Sequence, residues 1–147
     1  MGRRTILLLS AMATMVFVAA GVALAANINC PGGPCLGTTA ADTIRGTVGI
    51  DDIVAAQGND SVSGREGSDI IKGDSGDDSL RGGDGPDWIF GSTGADTAAG
   101  GFGNDFINVS DNVSANDEVD CGPGIDKAVK DLGDTSTGCD GNVTVVP

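Results

Sequence analysis

A nine-residue repeat runs without interruption from Gly37 to Asn108 and strongly limits how the chain can fold. Its eight consecutive units read GTTAADTIR, GTVGIDDIV, AAQGNDSVS, GREGSDIIK, GDSGDDSLR, GGDGPDWIF, GSTGADTAA and GGFGNDFIN. Position six is aspartate and position eight is aliphatic in every unit, while glycine fills positions one and four in seven units each. Columns kept in phase in this way indicate an architecture in which each unit packs on its neighbours.

The residue types within a unit predict a turn followed by a short strand. We expect the glycines at positions one and four to adopt positive φ, so that the turn points its carbonyl oxygens inward. The x-aliphatic-x positions that follow predict a three-residue strand whose middle side chain points away from its neighbours. Its interior would then consist of Ile44, Ile53, Val62, Ile71, Leu80, Ile89, Ala98 and Ile107. So few aliphatic residues cannot offset the entropy of ordering the chain, and another source of stability is required.

The aspartate column predicts that a cation supplies this stability. Carboxylates stacked at a strand spacing of about 4.8 Å repel one another, whereas calcium accepts six to eight carboxylate and carbonyl oxygens. If each site uses units n and n+2, eight units contain six possible sites. The candidate carboxylate ligands are Asp42, Asp51, Asp60, Asp69, Asp78, Asp87, Asp96 and Asp105, and the candidate carbonyl ligands belong to Gly64, Gly73, Gly82, Gly91 and Gly100.

This pattern resembles the hemolysin-type (RTX) calcium-binding nonapeptide G-G-x-G-x-D-x-U-x. The match is weakest at position two, where only Gly83 and Gly101 are glycine, and in the first unit, where Ala40 fills position four. The resemblance implies an all-β parallel β-roll, or β-solenoid, with two nonapeptides per coil and calcium between successive turns on the same side. The segment DEVDCGPGIDKAVKDLGDTSTGC, residues 117–139, is similar to the endings of secreted actinobacterial repeat proteins.

The N-terminus has the layout of a secretory signal peptide over residues 1–25. Arg3 and Arg4 precede an apolar run at residues 6–22, and Ala23-Leu24-Ala25 offers small residues for cleavage. An uncleaved membrane anchor is the alternative, but the Ala-x-Ala site favours cleavage. Cleavage leaves six basic residues against 21 acids, a balance that repels nucleic acid and anionic membranes and attracts cations. We therefore expect a secreted, extracellular protein.

Two further segments flank the repeats at residues 37–108. Residues 26–36 form an N-terminal segment, and residues 109–147 contain the degenerate units NVSANDEVD and CGPGIDKAV. We expect these units to cap the roll, and we favour this structural role for Asp117 and Asp126 over metal binding. The four cysteines of an exported chain predict two disulfides. Of three possible pairings, proximity favours Cys30–Cys35 and Cys121–Cys139, one at each end.

The repeat also predicts an apolar stripe on the outside of one sheet. With 18 residues per coil, one outward column reads Asp52, Ile70, Trp88 and Phe106, and its neighbour reads Val54, Lys72, Phe90 and Asn108. The corresponding columns of the opposite sheet are largely polar. An exposed apolar patch usually marks something that covers it. We favour the chain's own C-terminal segment as the cover, and the alternative is an interface for self-association or for a surface partner.

The sequence favours a binding protein over an enzyme. The chain has no histidine, which excludes histidine-based triads and H-E-x-x-H zinc sites. It also has no G-x-S-x-G elbow, Walker A loop or full EF-hand loop. We predict a secreted calcium-binding protein that folds on the ion. The alternative is a calcium-ordered interaction or adhesion module that uses the apolar outer face around Ile70, Trp88, Phe90 and Phe106.

Overall fold

The computed structural model describes residues 24–111, 116–140 and 142–147. Apart from its last two residues, the predicted signal peptide lies outside these ranges. Within them the chain is all-β, and no described helix is long and apolar enough to span a membrane. The strands are β1 Asn27–Asn29, β2 Gly33–Leu36, β3 Thr43–Arg45, β4 Asp51–Gln57, β5 Ser61–Glu66, β6 Ile70–Ser75, β7 Ser79–Asp84, β8 Trp88–Thr93, β9 Thr97–Phe102, β10 Phe106–Asn108, β11 Glu118–Asp120, β12 Lys127–Asp131, β13 Thr135–Thr137 and β14 Val143–Val146.

The strands form two parallel sheets between which the chain alternates. One sheet has the order β1-β3-β5-β7-β9-β11-β13, and the other has the order β14-β12-β10-β8-β6-β4-β2. Each repeat strand pairs in parallel with the strand two later, as in Val62↔Leu80 and Ile71↔Ile89. This winding is a β-solenoid of about six turns, which confirms the predicted β-roll with two nonapeptides per coil.

The strands are longer than the three residues predicted from the x-aliphatic-x positions. Strands β5 to β9 each contain six residues and run from position seven of one unit to position three of the next. Their second halves stay paired, as in Arg65↔Gly83 and Glu66↔Asp84. The three-residue prediction was wrong because it treated positions one to three as turn. In these units the turn is confined to positions four to six.

The interior contains the predicted aliphatic side chains, one from each unit, which stack in one file along each of the two sheets. All eight position-eight residues are buried, with at most 3% of their surface exposed. Val119 and Ala128 continue the two files beyond the repeats. The outer faces of the strands are exposed or half-buried, so the alternation along each strand matches the pleat.

The two ends of the roll have the predicted disulfides. Cys30 is bonded to Cys35 beside β2, and Cys121 is bonded to Cys139 in the last coils. Strands β11 to β14 extend both sheets past the repeats. The coil that joins the repeats to this end is three residues longer than the 18-residue coils of the repeats, since Phe106 pairs with Lys127, 21 residues further on.

Candidate cation-binding turns

The position-six aspartates form a buried ladder along each side of the roll. From the third unit onward, each carboxylate accepts, through Oδ1, a hydrogen bond from the backbone N–H of the aspartate one coil earlier. The N–H of Asp60 donates to Asp78 at 2.8 Å, and the N–H of Asp69 donates to Asp87 at 2.8 Å. These hydrogen bonds were not predicted from the sequence. The signal available in the sequence was that position six is aspartate in all eight units and never the longer glutamate.

The other oxygen of these carboxylates, Oδ2, is left without a donor. In every unit from the third onward it is buried and accepts no hydrogen bond from the described residues. The aspartates concerned are Asp60, Asp69, Asp78, Asp87, Asp96, Asp105, Asp117 and Asp126. A buried carboxylate oxygen without a partner is costly, so a column of them marks a place where positive charge is expected.

At the position-one glycine, a backbone carbonyl lies beside Oδ2 in four of these turns, those of Asp69, Asp78, Asp87 and Asp105. A Cβ added to Gly73 would lie 2.8 Å from the carbonyl oxygen of Gly91 and closer still to Oδ2 of Asp78. The same arrangement recurs at Gly64, where the added atom would be 2.7 Å from the carbonyl oxygen of Gly82. The prediction that these glycines have positive φ was wrong. At these positions glycine is required for lack of space, because a carboxylate and a carbonyl occupy the place of a side chain.

Four of the predicted carbonyl ligands can be placed in the same way. The carbonyls of Gly64, Gly82, Gly91 and Gly100 each lie within 2.8 Å of the position that a Cβ would take on the glycine one coil earlier. That of Gly64 lies in the turn of Asp51. At the last repeat, Cys121 supplies the equivalent carbonyl beside Gly100 and Asp105, at 2.5 Å from the added atom. The turns therefore bring together hard oxygen atoms of the two kinds that calcium prefers.

In units three to eight, positive φ is found at position four, as predicted, and at position two, where it was not predicted. In units three to eight the position-two residue lies in the left-handed region, with φ of 90° at Arg65 and 127° at Gly83. The position-four glycines of the same units are also left-handed, as at Gly67 with φ of 133°. Four of the six position-two residues are not glycine, namely Ala56, Arg65, Asp74 and Ser92. The family pattern has glycine there, and this chain accepts backbone strain in its place.

Burial raises the pKa of seven ladder carboxylates, those of Asp60, Asp69, Asp78, Asp87, Asp96, Asp105 and Asp117. Desolvation is the largest cause at Asp78 and Asp87 and raises the pKa of each to about 7, although the donated backbone N–H lowers it. Repulsion by neighbouring carboxylates raises both pKa values further: the Asp96 carboxylate raises the pKa of Asp78, and the Asp69 carboxylate raises the pKa of Asp87. Burial also raises the pKa of Asp117, to about 6. Positive charge close to Oδ2 would oppose all of these shifts.

The first two turns are built differently. Oδ2 of Asp42 accepts the N–H of Thr38 at 2.6 Å, and Oδ2 of Asp51 accepts the N–H of Thr47 at 2.6 Å. Both threonine hydroxyls donate to the same carboxylates, each at 3.0 Å. Asp42 and Asp51 are thus in the ladder as predicted, but their Oδ2 atoms already have donors.

The predicted capping residues Asp117 and Asp126 continue the ladder. The N–H of Asp96 donates to Oδ1 of Asp117 at 2.7 Å, and the N–H of Asp105 donates to Oδ1 of Asp126 at 2.8 Å. Both aspartates are buried, and each keeps Oδ2 without a donor among the described residues. Their environment is therefore that of the repeat aspartates, a likeness that the expected capping role did not include.

The apolar stripe lies on the outside of the even-numbered sheet. Its columns pair in the predicted register, with Trp88 between Ile70 and Phe106. The rings of Trp88 and Phe106 are 5.3 Å apart, and Lys127 lies over Phe106. Trp88 is 56% exposed. The prediction that the C-terminal segment covers the stripe was wrong for the described residues, because β14 pairs with β12 and extends the sheet.

Two parallel sheets joined by glycine–aspartate turns, with one aliphatic residue per unit inside, define a repeat protein of the β-roll class. The family model for the RTX calcium-binding nonapeptide repeat (4 copies) matches residues 36–71 and 72–107. Residues 36–107 are therefore RTX calcium-binding nonapeptide repeats, and repeats of this kind bind Ca²⁺. No curated protein and no solved structure matches the chain.

Proposed function

We propose that this chain is a secreted calcium-binding protein whose β-roll folds on binding the ion between stacked glycine–aspartate turns. The observation that carries the proposal is the column of buried Oδ2 atoms that have no donor among the described residues. Four of them, in Asp69, Asp78, Asp87 and Asp105, lie beside a backbone carbonyl of the next coil. A cation on this column would bind two adjacent coils to each other. Its binding free energy would then contribute directly to folding, as structural metals do elsewhere.

The donor set favours calcium. Within the described residues no three acidic, cysteine or histidine side chains converge on one point, so a cation here would take most of its ligands from the backbone. Calcium accepts six to eight oxygens in flexible geometry, whereas magnesium requires a tighter octahedron and retains water. The formal charge of −13 adds a field that concentrates divalent cations near the roll.

The carboxylates proposed as ligands are those with a free Oδ2. Within the repeats they are Asp60, Asp69, Asp78, Asp87, Asp96 and Asp105. The neighbouring carbonyls of Gly82, Gly91 and Gly100 would complete the sites of Asp69, Asp78 and Asp87. The carbonyl of Gly73 is a further ligand predicted from the sequence, whereas that of Gly64 lies in the turn of Asp51. Asp117 and Asp126 extend the ladder beyond the matched repeats.

We propose a binding role without catalysis and an extracellular location. The support for the first is the absence of histidine from the sequence and the nature of the RTX unit, which is a binding and structural repeat. The support for the second is the Ala-x-Ala site after the apolar run, together with two disulfides, which persist in oxidising compartments.

A second candidate function is that of a calcium-ordered interaction or adhesion module. The exposure of Trp88 favours it, since this side chain and its neighbours form an apolar stripe that no described segment covers. Such a surface would bind a partner or a second copy of the chain once calcium has ordered the sheet. A pull-down with and without chelator separates the two functions: a partner retained with calcium and lost with EDTA supports the module.

Circular dichroism and thermal melting under calcium titration test the main proposal. We expect a β-sheet spectrum and a cooperative transition to develop with calcium, at the dissociation constants of about 10⁻⁴–10⁻³ M typical of extracellular modules. EDTA should reverse the change, and magnesium at the same concentration should not reproduce it. The same β spectrum and melting temperature in excess EDTA would contradict the proposal.

A further inference from the structure

Threonine fills position two in the first two units and in no other unit. Thr38 and Thr47 each direct two donors, the backbone N–H and the hydroxyl, at the aspartate that ends their own turn. In unit two both donors meet the same atom, Oδ2 of Asp51, at 2.6 and 3.0 Å. From the third unit onward, Oδ2 has no donor among the described residues.

The backbone changes at the same point. Units three to eight have left-handed residues at positions two and four, but neither threonine and neither position-four residue, Ala40 or Gly49, has a positive φ. Threonine is β-branched and strongly disfavours the left-handed region. Without a positive φ, the N–H of each threonine donates to the carboxylate of its own turn, and its hydroxyl adds a second donor. The residue at position two therefore decides which of two turn structures forms.

We propose that Thr38 and Thr47 close the first two turns in place of a cation, so that ion binding begins at Asp60. This inference rests on the proposed calcium-binding function. Two short hydrogen bonds to a carboxylate stabilise its charged form, as a cation would. A calcium ion in these turns would first have to displace both donors from the carboxylate. The first two units thus form an end of the roll that is complete without calcium, next to the Cys30–Cys35 disulfide.

One carboxylate oxygen in these turns has no hydrogen-bond donor among the described residues. It is Oδ1 of Asp51, the atom that in later units accepts the N–H of the aspartate one coil earlier. One coil before Asp51 the chain has Gly33 in β2 instead of an aspartate. The oxygen of Asp51 that lies beside the glycine carbonyl is the other one, Oδ2. Oδ2 already accepts the N–H of Thr47.

Calcium stoichiometry of the oxidised chain, measured by native mass spectrometry or flow dialysis, tests the inference. We expect Asp42→Asn and Asp51→Asn to bind as many calcium ions as the unsubstituted chain. The matched variants Asp78→Asn and Asp87→Asn should each bind at least one fewer. Loss of an ion from Asp42→Asn or Asp51→Asn would overturn this inference and leave the proposed function standing. An unsubstituted chain that binds no calcium would overturn both.

A gain of binding is expected at the second unit. Thr47→Gly removes the hydroxyl and permits positive φ at position two, so it should bind one additional ion, while Thr47→Ser should not. An unchanged count in Thr47→Gly would overturn the assignment of position two.

Hydrogen exchange of the unsubstituted chain provides a test that does not depend on folding of the variants. In EDTA the amides of Thr38 and Thr47 should stay protected while those of Asp60 and Asp69 exchange quickly. Equally rapid exchange at all four would overturn the inference.

Discussion

The backbone N–H of Asp60 donates a hydrogen bond to Oδ1 of Asp78, one coil further along the roll, at 2.8 Å. Each position-six aspartate in the body of the roll is therefore both donor and acceptor in a continuous chain of contacts between coils. Its second oxygen remains for a cation. The two oxygens of one carboxylate thus have separate roles, and substitutions can distinguish them.

We predict that Asp78→Ala is more destabilising than Asp78→Asn in saturating calcium. Both variants remove the charge beside Oδ2, but alanine also leaves the buried N–H of Asp60 without an acceptor. That loss should cost about 1–3 kcal/mol in addition. Urea denaturation of the two variants measures the difference. Asp52→Ala, at an exposed position-seven residue, is the control and should have little effect. Equal stability of the two Asp78 variants would contradict the ladder.

The calcium-free chain should be more stable in acid than at neutral pH. The pKa values of Asp78 and Asp87 in the folded roll are about 7, above the usual value of 3.8. A carboxylate with a raised pKa favours the folded state fully below about 3.8, and this contribution is lost as the pH rises through about 7. In EDTA, a cooperative melting transition should therefore be detected at pH 4, and it should weaken and be lost as the pH rises to 8. A melting temperature that rises over this range would contradict the raised pKa values.

Calcium should reverse that pH dependence. Protons and calcium compete for the same carboxylates, so the stabilisation by calcium should be greatest near neutral pH and small at pH 4. Melting at a fixed calcium concentration over the same pH range provides the comparison.

Replacing a strained residue at position two should stabilise the roll. Arg65 has a φ of 90°, and Arg65→Gly relieves this strain at the expense of some chain entropy. We expect a net gain of up to about 1 kcal/mol, measured by urea denaturation in saturating calcium. Gly83→Ala is the reciprocal variant: its new Cβ would meet the carbonyl of Arg65, so it should be destabilising. A loss of stability in Arg65→Gly would show that the arginine side chain outweighs the backbone strain.

The apolar stripe should contribute more to association than to the folding of one chain. Trp88→Ser removes an exposed side chain whose ring contacts with Phe90 and Phe106 account for about 1 kcal/mol each. We expect calcium-dependent folding to persist, and self-association at high concentration, measured by analytical ultracentrifugation, to fall. A monomer that no longer folds would indicate a structural role, and unchanged association would remove the stripe from the binding surface.

The repeat phase predicts columns well because a fixed period of 18 residues places equivalent side chains above one another. The buried aliphatic file and the neighbours of Trp88 follow directly from it. Turn geometry is harder to predict from the sequence, since a glycine can be required either because φ is positive or because there is no room for a side chain. At position one the reason is space, as at Gly73, where a carboxylate and a carbonyl crowd the backbone. The sequence has glycine in either case, so it does not reveal which of the two reasons applies.

The role of Thr38 and Thr47 depends on the conformation of a single residue in each turn, which a repeat consensus averages away. The ladder at Asp117 and Asp126 was hidden for a different reason. The spacing there departs from nine residues, so the phase alone does not align these aspartates with the column above them.

That irregular spacing shows which parts of the coil are variable in length. Phe106 and Lys127 stay in register although three extra residues separate them, and the aliphatic pair Ile107 and Ala128 stays aligned inside. The extra length is taken up between strands and leaves the ladder intact. Insertions between β10 and β11 can therefore carry new surface features, such as an epitope or a tether, while the aspartate ladder keeps its register.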